Sequence, residues 1–206
     1  MDTNERHTTV VWDVFVRVFH WAIVSLVLIS LVSGQLELGI HPYSGYAIFI
    51  LVIARILWGL VGSQYARFSN FLYKPTTVWQ YLKSIVKGNP KRFLGHNPAG
   101  GLMVLALLIC LGTTTLSGMK LYGIEENEGP FAQAAPTTLM LEKDANKEHE
   151  HDEDHEDDEF WEALHELSIN LLLLLILLHV LGVVVASKQH NENLVKAMLD
   201  GEKSKD

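Results

Sequence analysis

The sequence predicts an all-α fold: an integral membrane four-helix bundle with a long acidic, His-rich loop between its third and fourth spans. Three observations predict it. Four stretches, residues 14–34, 43–62, 100–118 and 164–187, are long and apolar enough to cross a bilayer, which takes about 20 residues of helix. Charge is segregated to the segments between them. Histidines stand inside or at the ends of the apolar stretches, where an ionisable side chain is costly and needs a partner.

The elements follow in order. Residues 1–10 read as a short polar tail, and Trp12 and Trp21 frame the start of the first span, where indole rings favour the membrane interface. That first apolar run exceeds the core of a signal peptide, carries Arg17 near its start and has no A-x-A-like cleavage site around Ser33–Gly34–Gln35. It is expected to be a retained span. Residues 35–42 form a short turn, with Pro42 suited to the first turn of the second helix. Residues 76–86 predict a short amphipathic helix with Trp79 and Leu82 towards lipid or protein and Lys83 and Lys87 towards headgroups. Gly95–His96–Asn97–Pro98 opens the third span. Beyond the fourth span, residues 192–199 predict a second short amphipathic helix. The chain divides into residues 1–119 (three spans and the loop between the second and third), 120–163 (the acidic loop) and 164–206 (the fourth span and tail), all one membrane domain.

Charge sets the expected orientation. The segment from Ser63 to Pro98 contains Arg67, Lys74, Lys83, Lys87, Lys91 and Arg92 and no acidic residue. The positive-inside rule puts it in the cytoplasm, and both termini with it. The formal net charge of −8 belongs to one exported loop, because residues 120–160 carry 14 of the 24 acidic residues. Its centre, EHEHDEDHEDDE at 148–159, is expected to lack regular structure. Nothing in this balance suggests a nucleic-acid partner.

The single cysteine, Cys110, excludes an intramolecular disulfide and a C-x-x-C-H site for covalent haem. It is expected to be a small packing residue. Of ten histidines, His149, His151 and His155 lie in the acidic loop, His7 and His190 in polar segments, and His96 at a membrane boundary. The other four are His20, His41, His165 and His179. His165 and His179 are 14 residues apart on one helix, so they share a face and lie ~21 Å apart along the axis. His20 enters the first span at the cytoplasmic side and His41 begins the second at the external side. The depths match in two pairs, His20 with His179 and His41 with His165. Each pair can clamp one haem iron, since imidazole is a good iron ligand. Without covalent attachment the haems would be b-type. Histidines hydrogen-bonded between helices, or binding another metal, are the competing explanation. Arg17 and Arg55 stand near the inner pair and suit haem propionates; snorkelling to headgroups is their alternative role.

These residues together resemble the bacterial cytochrome b561 family, which includes the cytochrome b subunits of nickel-iron hydrogenases. The resemblance rests on VWDVFVRVFHW at 11–21, HPYSGY at 41–46, RILWG at 55–59, GHNPAGG at 95–101, HELSIN at 165–170 and SKQHNENLVKAM at 187–198. It implies a four-helix bundle in the bacterial cytoplasmic (inner) membrane, holding two b haems through His20, His41, His165 and His179. It also implies electron exchange between the quinone pool and a redox partner, such as a periplasmic c-type cytochrome or a hydrogenase-like protein. The long acidic insertion departs from the family's usual short connection.

Two further features invite function. His96 could serve a quinone site on the cytoplasmic side or simply fix the Asn97–Pro98 turn. The acidic His-rich run could bind zinc, nickel or copper loosely, steer a basic partner, or be only a solvated loop. The competing class is a divalent-metal transporter using that loop. Against it, no Asp or Glu lies in the middle of any span and the third span has no histidine, whereas a transport path needs polar groups at the midplane.

Overall fold

A computed structural model describes residues 8–132 and 147–204, with 147–157 described as backbone only. Four helices are long and apolar enough to cross a membrane: α1 (Val14–Gln35), α2 (His41–Val61), α4 (Pro98–Glu125) and α5 (Lys147–His190), the last over Asp158–His190. Two shorter helices, α3 (Pro75–Val86) and α6 (Leu194–Asp200), follow α2 and α5. A 3-10 turn at Phe68–Asn70 and two strands, β1 (Thr8–Val10) and β2 (Glu202–Ser204), complete the elements of the described residues.

Local chemistry explains where the helices begin. Asp13 caps α1, its side chain accepting from the Val16 N–H at 2.8 Å. Asn97 caps α4 by accepting from the Gly100 N–H at 2.7 Å, and Pro98 follows. Asn193 caps α6 through the Lys196 N–H. Each short polar side chain satisfies an amide that the first turn leaves unpaired, and proline there sacrifices a donor that had no partner. Gly201 ends α6 at φ 87°, a left-handed conformation that costs glycine little.

Helix α1 packs on α2, α2 on α4, and α4 on α5. Val27, Ile48, Val52, Leu108, Leu111 and Leu172 form the buried centre of this bundle. Outward positions are as apolar as inward ones: Leu28, Ile50, Ile109 and Leu174 are each at least 50% exposed. A bundle that is hydrophobic all round matches lipid as its solvent, with backbone polar groups satisfied inside each helix. The chain is an all-α, multi-pass membrane bundle.

The end of the bundle that carries both termini is tied together. Strands β1 and β2 pair antiparallel, with Thr9 opposite Lys203. Lys203, 8% exposed, donates to Glu192 at 3.1 Å and to the Leu94 carbonyl at 3.2 Å. Arg92 joins the same carboxylate and also donates to the Ser204 carbonyl. A second apolar cluster, Val11, Trp12, Val16, Ala66 and Ala197, lies at this end.

Three differences from expectation have local causes. The N-terminal segment is not only a polar tail: Thr8–Val10 is β1, because the end of the chain supplies a strand for it. Helix α4 continues to Glu125, beyond its apolar stretch, since residues 119–125 contain no proline to stop it. Helix α5 starts at Lys147, so the run at 148–159 is an extension of the fourth helix rather than a structureless loop. It contains no Gly, Pro or β-branched residue, and acidic residues near a helix N-terminus meet its dipole favourably. Residues 133–146 of the expected 120–163 loop lie outside the described residues.

Candidate functional site

The four span histidines come together in two pairs at two levels of α5, one at His165 and one at His179. The rings of His20 on α1 and His179 on α5 have centroids 6.4 Å apart. The rings of His41 on α2 and His165 on α5 are also 6.4 Å apart. Two imidazoles sharing one metal ion from opposite sides, each at a nitrogen–metal bond of about 2 Å, stand roughly 6 Å apart between centroids. Neither pair is close enough for a direct ring-to-ring hydrogen bond to be recorded. Both fit one iron between two rings.

Neighbours orient two ring nitrogens. His41 Nδ1 lies 2.9 Å from the Ser30 carbonyl oxygen. His165 Nδ1 lies 3.0 Å from the Thr114 carbonyl and 3.1 Å from the Ser117 hydroxyl. A carbonyl only accepts, so each Nδ1 carries the proton and donates. The opposite nitrogen, Nε2, is left with a free lone pair, as in metal-ligating histidines held by a backbone carbonyl. His20 Nδ1 is the exception: it is buried and has no hydrogen-bond partner.

Glycines make the close approach possible. A Cβ at Gly118 would come within 2.8 Å of the His165 ring, and one at Gly34 within 3.1 Å of the His41 ring. Each follows a nearly fully buried serine, Ser117 at 0% and Ser33 at 1% exposure. These Leu-x-Ser-Gly and Leu-Ser-Gly pieces, in α1 and α4, were not singled out from sequence. Their recurrence at the same end of two spans was the available signal.

Charged groups gather at the terminal end. Arg55, 3% exposed, donates from Nη2 to the Ala66 carbonyl at 3.1 Å, while its Nη1 is buried without a partner. Its guanidinium lies 5.3 Å from the Phe68 ring centroid. Arg17 donates from Nη1 to the Leu199 carbonyl at 2.7 Å, tying α1 to α6, and its Nε is buried without a partner. It also lines an open groove of about 510 Å³ with Val18, Trp21 and Leu199. Asp13 accepts from Trp58 Nε1 at 3.1 Å and from the Ser63 hydroxyl. Burial alone would raise its pKa, but the Ser63, Val16 and Trp58 hydrogen bonds and the Arg55 charge together hold it below the usual carboxylate range.

His96 sits beside this group. Its ring packs edge-on to Trp12 at 4.7 Å and against Phe71 at 4.4 Å, and its carbonyl accepts from the Tyr73 hydroxyl at 3.2 Å. Burial, then the charges of Arg55, Lys203 and His179, push its pKa down to about 3. Its imidazole is therefore neutral at any physiological pH. Among the described residues no group of three or more His, Cys, Asp or Glu side chains is placed to hold a metal ion. The side chains of His149, His151 and His155 lie outside the described residues. Cys110 is buried and its thiol donates to the Ser168 carbonyl, joining α4 to α5.

A multi-pass helical bundle with paired histidines inside it defines the class of membrane cytochromes that hold haem without covalent attachment. The prokaryotic cytochrome b561 family matches residues 11–201, and the chain belongs to that family. It is a b-type cytochrome of bacterial membranes whose family role is electron transfer. A "Probable Ni/Fe-hydrogenase B-type cytochrome subunit" of Rhodobacter capsulatus is 22% identical over 237 residues, covering 99% of this chain and 85% of the relative. A protein of the same description from Bradyrhizobium diazoefficiens is 22% identical over 231 residues, covering 96% and 87%. No solved structure matches the chain.

Proposed function

We propose that this protein is a di-haem b-type cytochrome that carries electrons across the membrane between the quinone pool and a redox partner. The observation that carries this is the recurrence of one 6.4 Å imidazole spacing at two levels of α5. His20 and His179 would hold one haem, and His41 and His165 the other. Haem iron supplies a one-electron carrier that no side chain of this protein provides. Arg17 and Arg55 each keep a buried guanidinium nitrogen without a partner, which suits the anionic propionates. The basic segment between α2 and α3 and onward to α4 supports a cytoplasmic side for the termini and for the His20–His179 pair. The His41–His165 pair then lies at the external side, next to the acidic segment.

The hydrogenase-linked description of both relatives favours a hydrogenase-like partner. A basic periplasmic c-type cytochrome would also be drawn by the acidic segment. The test begins with the purified protein, by reduced-minus-oxidised spectra and haem quantification. Two b haems per chain are expected. His165→Ala and His179→Ala should each remove one haem and spare the other. A preparation with no b-type bands, or a variant that keeps both haems, would refute the assignment.

A further inference from the structure

A buried donor without an acceptor has given up its hydrogen bond to water for nothing, and the penalty is larger if it is charged. Two buried nitrogens able to donate lie in one neighbourhood here. Arg55 Nη1 is buried and unpartnered in a side chain only 3% exposed. His96 Nδ1 is also buried and unpartnered. Arg55 lies over the Phe68 ring at 5.3 Å, Phe68 packs on Phe71 at 5.6 Å, and Phe71 packs on His96 at 4.4 Å; the charges of Arg55 and His179 also act on the His96 ring, so both nitrogens lie at the His179 end of the bundle. The nearby carboxylate does not hydrogen-bond either of them: Asp13 accepts from Val16, Trp58 and Ser63.

We propose that His96 Nδ1–H and Arg55 Nη1–H together seat one propionate carboxylate of the haem held between His20 and His179. The proposal rests on the di-haem function above and adds to it a residue whose motif, Gly95–His96–Asn97–Pro98, that function did not use. A carboxylate has two acceptor oxygens and one negative charge, which suits one neutral and one cationic donor. A neutral imidazole donates without adding a second positive charge beside Arg55. The seat is rigid. Trp12 and Phe71 hold the His96 ring, and Tyr73 holds its backbone. A Cβ at Gly101, one helical turn into α4, would run into the Phe71 carbonyl, so α4 begins pressed against the segment that carries Phe71. His96 acts on the haem through its carboxylate and not on the iron.

The test uses the detergent-solubilised holoprotein and needs no partner or quinone. His96→Phe and His96→Ala remove the donor at different volumes, so that one tolerates the packing if the other does not. His96→Gln keeps a donor. In a potentiometric titration, one of the two haem steps should move to lower potential in H96F or H96A, because an unscreened propionate favours ferric iron. The other step should stay in place, and H96Q should restore most of the shift. The propionate bending band in the resonance Raman spectrum should move in the same variants. Unchanged steps and an unchanged band in H96F and H96A would overturn the proposal. So would a slower reduction by a water-soluble quinol with both steps unmoved, which would make His96 a quinone contact instead. A wild-type protein lacking two b haems would refute the underlying function, and this is visible before any variant is compared.

Discussion

Gly118 and His165 show how little room the histidine pairs leave. The Cβ of any other residue at position 118 would press within 2.8 Å of the imidazole, so Gly118→Val should swing His165 out of line and cost one haem of two. A Cβ at Gly112 on the same helix would meet nothing within 4 Å, so Gly112→Ala should keep both; haem-to-protein ratios compare them directly. Asp13 is a second pressure point, because one carboxylate caps α1 and anchors Trp58 and Ser63. Asp13→Ala should cost about 1–2 kcal/mol, the usual range for a lost helix cap, seen as a lower unfolding temperature in detergent. Its folded pKa lies below its unfolded value, so this contribution is fully present above about pH 4 and is lost as pH falls through the folded pKa. The difference between wild type and D13A should therefore shrink under acid conditions. A constant difference down to pH 2–3 would contradict the linkage. At this scale the four span histidines were legible because charge-capable rings in lipid need a reason. Ser30, Thr114 and Ser117, which orient two of them, were not legible, since the acceptors from Ser30 and Thr114 are backbone carbonyls that every residue possesses.

Among elements, the pairing of β1 with β2 and the Arg92–Glu192–Lys203 cluster bind three separate segments at the terminal end. Burial would raise the Glu192 pKa, but hydrogen bonds and charges from Arg92 and Lys203 hold it below the usual carboxylate range. Glu192→Ala should leave the buried Lys203 ammonium with only the Phe93 and Leu94 carbonyls. We expect that strap to weaken by about 1–3 kcal/mol. Hydrogen–deuterium exchange should report it as faster uptake at Thr8–Val10 and Glu202–Ser204, with α4 and α5 unchanged. Uniform exchange in both proteins would mean the cluster does not hold the strap. The spans and α3 were legible as elements, since apolar length and amphipathic spacing are properties of contiguous sequence. The strands were not: three residues of strand carry no periodic signal, and each exists only because the other end of the chain meets it.

For the whole molecule, the basic segment at 63–98 predicts its own side of the membrane. Reporter fusions after Ser204 and within residues 87–92 should both read cytoplasmic, and one at residues 126–130 external. Any other combination would invert the assignment of inner and outer pairs while leaving the pairs themselves intact. By itself the sequence determined that four helices cross a membrane, that a single cysteine excludes covalent haem attachment, and which histidines share a helix face, because span length, residue chemistry and the helical repeat are all local. It also matched those histidines by depth into His20 with His179 and His41 with His165. Only the tertiary structure decided that each pair closes to a common 6.4 Å, which carbonyls orient two of the rings, and that His96 and Arg55 share one neighbourhood. Those facts depend on how α1, α2, α4 and α5 pack, and packing joins paired histidines that are more than a hundred positions apart in the chain.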